Sequence, residues 1–352
     1  VDAHQGNSAD GTDPADEGIQ KMRLSVKGFA VPAVLLALLA SPLAGSATSC
    51  TMQAELQPLD RDALTAAAGR LAVAVAAQDE ATLKAALLPA VSPDWERIRE
   101  AAEDSAVLMK GGQIQLRDMY LLDATSLAAP SDTQFFCSTA SGSMTVTLTM
   151  RALPPGRYAV VLADAAGAPN AGQLGFILAW EGPESGWKLG GLTVRPGALD
   201  GHDGVWWWTH ARELTADGQH WSAWYAYETA RVLLLPVDFL SSPNLEKLGT
   251  EQAAIKNSPR DVFPLTLSDG PRAWKIDAVR LDATLLHADL GVVYESTGVT
   301  DPAAQRTEAT AVLSAVLKAQ PELRASFYGL WAYAVKDGKQ TPVIELPMAK
   351  IP

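Results

Sequence analysis

Met144-Thr145-Val146-Thr147-Leu148-Thr149-Met150 decides how the rest of the chain reads. Four apolar side chains alternate with threonines, the period of two that lays one face of a strand on a core and turns the other to water. Working outward, strands are expected over residues 113–122, 134–138, 143–151, 157–163, 173–181 and 186–194. Pro154-Pro155-Gly156 and Pro183-Glu184-Ser185-Gly186 supply hairpin turns between them. Upstream the period changes. Leu64, Ala68, Leu71 and Val75 fall on one helical face, and Asp79 can cap a second helix carrying Leu83, Leu87 and Leu88. Ser92-Pro93-Asp94 starts a third, whose apolar face continues through Trp95, Ile98 and Ala102. Helices followed by a run of antiparallel strands predict an α+β fold, helices over a bent, cone-like sheet.

That order, closed by Gly186-Trp187-Lys188-Leu189-Gly190-Gly191-Leu192-Thr193-Val194-Arg195-Pro196, resembles the nuclear-transport-factor-2-like fold over residues 59–196. The family includes enzymes, ligand binders and assembly modules, so the resemblance implies a cone and no particular chemistry. In residues 201–254, Trp207, Ala211, Leu214, Gly218, Ala223, Tyr227 and Ala230 follow the spacing of one tetratricopeptide repeat, with Pro236 one place late. The small residues let two antiparallel helices approach, Gly218 turns the chain and the aromatics fill the seam. A single such hairpin cannot bury its own face and must pack on a neighbour. Residues 264–352 read as a small α+β unit, β-β-α-β-β. Its strands are expected over 274–285, 290–295, 326–335 and 340–346, with a helix from Asp301-Pro302 to Pro321 and a turn at Asp337-Gly338. Leu235-Pro236-Val237-Asp238-Phe239-Leu240-Ser241-Ser242-Pro243-Asn244 and Ile344-Glu345-Leu346-Pro347-Met348 resemble stretches of exported bacterial proteins of unknown function.

Residues 22–47 have the order of a secretory signal peptide. Met22, Arg23 and Lys27 are followed by an apolar run too short to span a bilayer comfortably, then by Gly45 and Ala47 at signal-peptidase spacing. The mature protein is therefore expected to begin near Thr48 and to be periplasmic or extracellular. Residues 1–21, acidic and polar, read as a disordered extension or as a start assigned too early, with Met22 the true first residue. Two fates are open to Cys50. It can pair with Cys137, the second of two cysteines in the chain, in an oxidising compartment; or it can be acylated, making a membrane-anchored lipoprotein.

The chain carries 28 Lys and Arg against 40 Asp and Glu, a net charge of −12, with no basic stripe. Nucleic acid is thereby a poor partner, since phosphate neutralisation dominates such binding. No transmembrane helix is expected in the mature chain, and no cofactor or metal. His202, Asp203, His210 and His220 are close in sequence but match no ligand spacing. Ser185 and Lys188 form S-x-x-K on a hairpin, where the chemistry of that motif would require a helix start.

Two candidate sites remain. Trp206, Trp207, Trp208, Trp221 and Trp224 crowd one hairpin, and three consecutive Trp on a helix cover about 200° of arc, so they cannot all face one neighbour. Trp206, Trp208 and Trp221 are the binding candidates, for another envelope protein or a small ligand, in a non-enzymatic protein. The alternative is a hydrolase or isomerase using acid–base residues inside the cone. Asp118 and Tyr120 share one face of its first strand and Asp123 takes the other.

Overall fold

Local chemistry sets the element boundaries in residues 48–142, 145–168 and 171–352, which the computed structural model describes. The acidic tail and the signal-peptide segment lie outside these residues. An edge strand, β1 (Ser49–Met52), leads into α1 (Pro58–Ala76), which starts with Pro at its first position. The Asp79 side chain accepts from Thr82 N and caps α2 (Glu80–Ala85). Pro93 falls in a 3₁₀ turn, Pro89–Asp94, so α3 (Trp95–Met109) begins a residue or two later than its sequence suggests.

Six strands follow: β2 (Gln113–Asp123), β3 (Ser131–Ser138), β4 (Thr145–Leu153), β5 (Arg157–Ala166), β6 (Gly172–Trp180) and β7 (Trp187–Pro196). They divide between two sheets. The larger has the order β1-β2-β5-β6-β7, and β3 and β4 leave it to form a second. The three helices cover one face of the larger sheet. Leu64, Ala68, Leu71 and Val75 are buried there against Met119, Val161, Leu174, Phe176 and Leu189. The opposite face holds a smaller core of Tyr120, Leu122, Val160 and Leu162 against Phe135, Val146 and Leu148 of the second sheet. Cys50 and Cys137 are disulfide-bonded, with 5.1 Å between Cα atoms, and tie the two sheets together. A sulfur committed to Cys137 cannot also carry a thioether-linked lipid.

Two short strands, β8 (Ala198–Leu199) and β9 (His202–Asp203), turn the chain into the hairpin of α4 (Gly204–Ala216) and α5 (His220–Leu234). Gly218 makes the turn at φ +74°. Trp207, Ala211, Leu214, Ala223, Tyr227 and Ala230 are all buried. A two-residue strand, β10 (Leu240–Ser241), pairs with β4, and Ser242 caps a third helix, α6 (Pro243–Ala253). Neither of these two elements is evident from periodicity.

The neighbour that the hairpin needs is the C-terminal sheet, β11 (Leu265–Asp269), β12 (Arg272–Asp282), β13 (Asp289–Glu295), β14 (Gly329–Lys336) and β15 (Lys339–Pro347), arranged in that order. Between β13 and β14 run α7 (Pro302–Ala319), capped by Asp301, and the short α8 (Leu323–Ser326). That crossover makes β13 and β14 parallel; the other pairs are antiparallel. β11 adds a strand to the expected β-β-α-β-β order. One core joins hairpin, sheet and α7: Trp207 stacks on Phe327 at 6.1 Å, Tyr225 Oη donates to Val279 O at 3.0 Å, and Glu322 accepts from Trp221 N and Ser222 N at the start of α5. No helix among the described residues is long and apolar enough to cross a membrane.

Candidate binding site

The helix-covered face of the larger sheet is where a cone pocket would open, and it is filled by Leu64, Leu71, Leu174, Phe176 and Leu178. Asp118 and Tyr120 are elsewhere. A bulge between Leu116 and Asp118 shifts the register, so Leu116, Met119 and Leu121 face the helices while Asp118 and Tyr120 face the opposite side with Leu162 and Val160. They share a face, as their parity requires, but it is the one turned toward the hairpin. Asp123 accepts from the backbone and hydroxyl of Thr125 and serves a turn.

The space between that face and the helices is a two-part groove. One part, of about 670 Å³, is lined by Arg117, Asp118, Asp164, Gln173, Gly204 and Val205. The other, of about 270 Å³, is lined by Tyr120, Trp208, Pro236, Leu240 and Asn244, together with Arg117, Asp118 and Val205 again. The polar end is organised by Arg117, whose Nε donates to Asp118 at 2.8 Å and whose Nη1 donates to Asp164 at 2.8 Å. Burial opposes the Arg117 charge, and the two carboxylates outweigh it, holding its pKa above the ordinary value. Tyr120 is buried; desolvation first and the Asp118 charge second push its pKa up to about 12, so the phenol stays protonated. Gln173 bridges the groove wall to the hairpin by donating to Leu233 O at 2.6 Å. Gly204 lets the start of α4 close on the end of α5: a Cβ there would lie 2.6 Å from Leu234.

Three consecutive tryptophans on α4 meet three different fates. Trp207 is core. Trp208 is half-buried and held by Glu251 of α6, which accepts from Trp208 Nε1 at 2.7 Å, from Arg212 Nε at 2.8 Å and from Tyr227 Oη at 3.3 Å. The Arg212 guanidinium lies 4.4 Å over the Trp208 ring. Arg212 above all, with Trp208 and Tyr227, holds the Glu251 carboxyl below its ordinary pKa. Trp206 stays 39% exposed next to Val205, 58% exposed. Its backbone N–H donates to Asp203, and its ring lies between His202, stacked at 3.6 Å, and His210 at 4.8 Å. The two imidazoles are thus on opposite faces of one indole and not on a common ligand.

Trp221 is buried, 7% exposed, beside Tyr225 and Phe263 and away from the groove. Ser185 and Lys188 are not paired for chemistry: Ser185 is in the β6–β7 turn, and the Lys188 ammonium reaches Ala85 O at 3.5 Å. Val205 has no sequence signal beyond its place beside three tryptophans, and Arg117 none beyond its place beside Asp118. No family model, no curated protein and no solved structure matches the chain.

Proposed function

We propose that the protein is an exported, non-enzymatic binding protein, and that the groove between the larger sheet and α4–α6 receives a segment of another envelope protein or a small ligand. The observation that carries this reading is the exposure of Val205, which lines both parts of the groove together with Arg117 and Asp118, and of Trp206 beside it in sequence. An apolar lip and a fixed polar cluster are what orient a bound segment. Trp206 enters as a stiffened ring, its stacking on His202 and His210 having already restricted its rotamers, which lowers the entropic cost of docking. The disulfide suits an extracytoplasmic compartment. In this reading residues 59–196 are nuclear-transport-factor-2-like and residues 201–254 are a single tetratricopeptide-like hairpin, used for assembly.

Acid–base chemistry at Asp118 and Tyr120 fits less well. A phenol with a pKa of about 12 is a poor proton donor at neutral pH, and Asp118 is engaged by Arg117. Pull-down from an envelope extract tests the proposal, comparing wild type with a Val205→Asp/Trp206→Ala variant. Both positions are exposed, so the variant is expected to keep its Tm within a few degrees and to lose specific partners at least ten-fold. Equal recovery by both proteins refutes the assignment of the lip.

A further inference from the structure

The outer face of the C-terminal sheet sets a buried carboxyl group, Asp289, beside a half-buried one, Glu345. Asp289 is fully buried, and neither of its oxygens has a hydrogen-bond partner; Glu345 Oε1, also buried, has none. Gly329 on β14 lies between them. A Cβ at Gly329 would sit 3.0 Å from Asp289 Oδ1 and 2.9 Å from Glu345 Oε1, so the two oxygens are no more than about 6 Å apart across a space that only glycine leaves open. Leu346 O approaches the same point at 2.9 Å.

The surroundings offer little to stabilise two charges. From β14, the Trp331 indole N–H favours the charged form of Asp289 but does not reach hydrogen-bonding geometry to it. Tyr333, on the same strand, donates a hydrogen bond from its hydroxyl to Asp282 of β12 at 2.5 Å and lies under Arg280 at 5.2 Å. His287, just before β13, faces Asp200, which accepts from its Nδ1 at 2.6 Å and from Ala288 N at 2.8 Å. Asp200 therefore adds a further negative charge near Asp289, and His287 offsets part of it. With both oxygens buried and unpartnered, an ionised Asp289 would lack compensation for its lost hydration, and the Glu345 carboxyl across Gly329 adds to that cost.

We propose that Asp289 keeps its proton in the folded protein, and that its release sets a second negative charge against Glu345 across Gly329 and loosens the C-terminal end of β15, making the pair a pH-sensitive clasp. β15 is the edge of the sheet and Glu345 is half-buried, so on this side β14 and the anchored Met348, with no further strand, oppose a displacement. Burial first, and Glu345 second, raise the Asp289 pKa to about 6. The sign follows. The native state holds a proton that the unfolded chain, with an Asp pKa near 3.8, has given up, so stability is greatest below about pH 4 and falls until the pH passes about 6. Above that the loss is complete and constant.

The test compares full-length wild type with Asp289→Asn and Glu345→Gln, each an isostere of a protonated acid. Unfolding equilibria are measured between pH 4 and 7, with the Asp289 carboxyl ¹³C shift of wild type followed over the same range. Relative to Asp289→Asn, wild type is expected to lose about ten- to hundred-fold in its folding constant as the pH rises, with Glu345→Gln in between because burial still acts on Asp289, and the ¹³C shift to titrate near 6. Amide exchange at Leu346 and Met348 should quicken in step in wild type and stay unchanged in Asp289→Asn. Parallel pH profiles in all three proteins, or an Asp289 carboxyl ionised throughout, overturn the proposal. So does a calcium- or magnesium-dependent stabilisation of wild type that abolishes the pH dependence, since the pair would then be a cation site.

Discussion

Glu251 accepts from Trp208, Arg212 and Tyr227 at once and so fixes α6 against the hairpin. Replacing it by Ala leaves an indole N–H, a phenol and a guanidinium without their common acceptor. An expected cost of about 1–3 kcal/mol follows from the unmade charge-assisted bonds, readable by urea unfolding. Loss of Trp208 packing should also appear as a changed tryptophan emission in the native protein. A neutral result would mean that the three donors find water without penalty. The adjacent Trp206 differs in kind: its ring is held by two imidazoles and the edge of Trp207, with no hydrogen bond to its indole among the described residues, and its removal is expected to bear on binding more than on stability. Which of three consecutive tryptophans does what was not legible in the sequence. Helical arc separates their directions, but only the position of Glu251, 43 residues from Trp208, decides that one of the two outer rings is tied down.

At the scale of elements, the disulfide is the strongest single constraint. It joins β1, the edge of one sheet, to β3 in the other and closes a separation of 87 residues. Replacing both cysteines by Ser is expected to cost about 2–5 kcal/mol, since the unfolded chain regains the entropy of a long open loop. Thiol titration of the unreduced, denatured protein should find no free thiol. Two free thiols, or an unchanged unfolding midpoint in the Ser variant, would contradict this. Long elements with a clean period were readable: α1 by Leu64, Ala68, Leu71 and Val75, β4 by its threonine alternation, and the hairpin by small residues at Ala211, Ala223 and Ala230, every one of them buried. Elements too short to repeat a period were not. β10 has two residues and β11 five, and both exist because a neighbouring strand offers a free edge. The third helix, α6, carries its cap in Ser242-Pro243, a local signal masked by the aromatic hairpin before it.

Across the whole molecule, the sequence separated two rival sites that the fold brings together. Asp118 and Tyr120 on β2 and Trp208 on α4 are about ninety positions apart, yet they line one groove. Parity correctly grouped Asp118 with Tyr120; which side of the sheet they faced depended on a bulge at Leu116 and on where the helices pack, and neither has a residue signature. The Asp289–Glu345 pair was likewise invisible, because it requires the β13-β14-β15 register that places both carboxyls against Gly329. The central claim, that the groove lip is where the protein meets its partner, is tested most directly by site-specific photo-crosslinking in an envelope preparation. A photoreactive phenylalanine derivative is placed at Val205 and, as control, at Leu59, which is 85% exposed at the start of α1. The account predicts discrete adducts from position 205 and none of these from position 59. Equal adducts from both positions, or none from position 205, would contradict it.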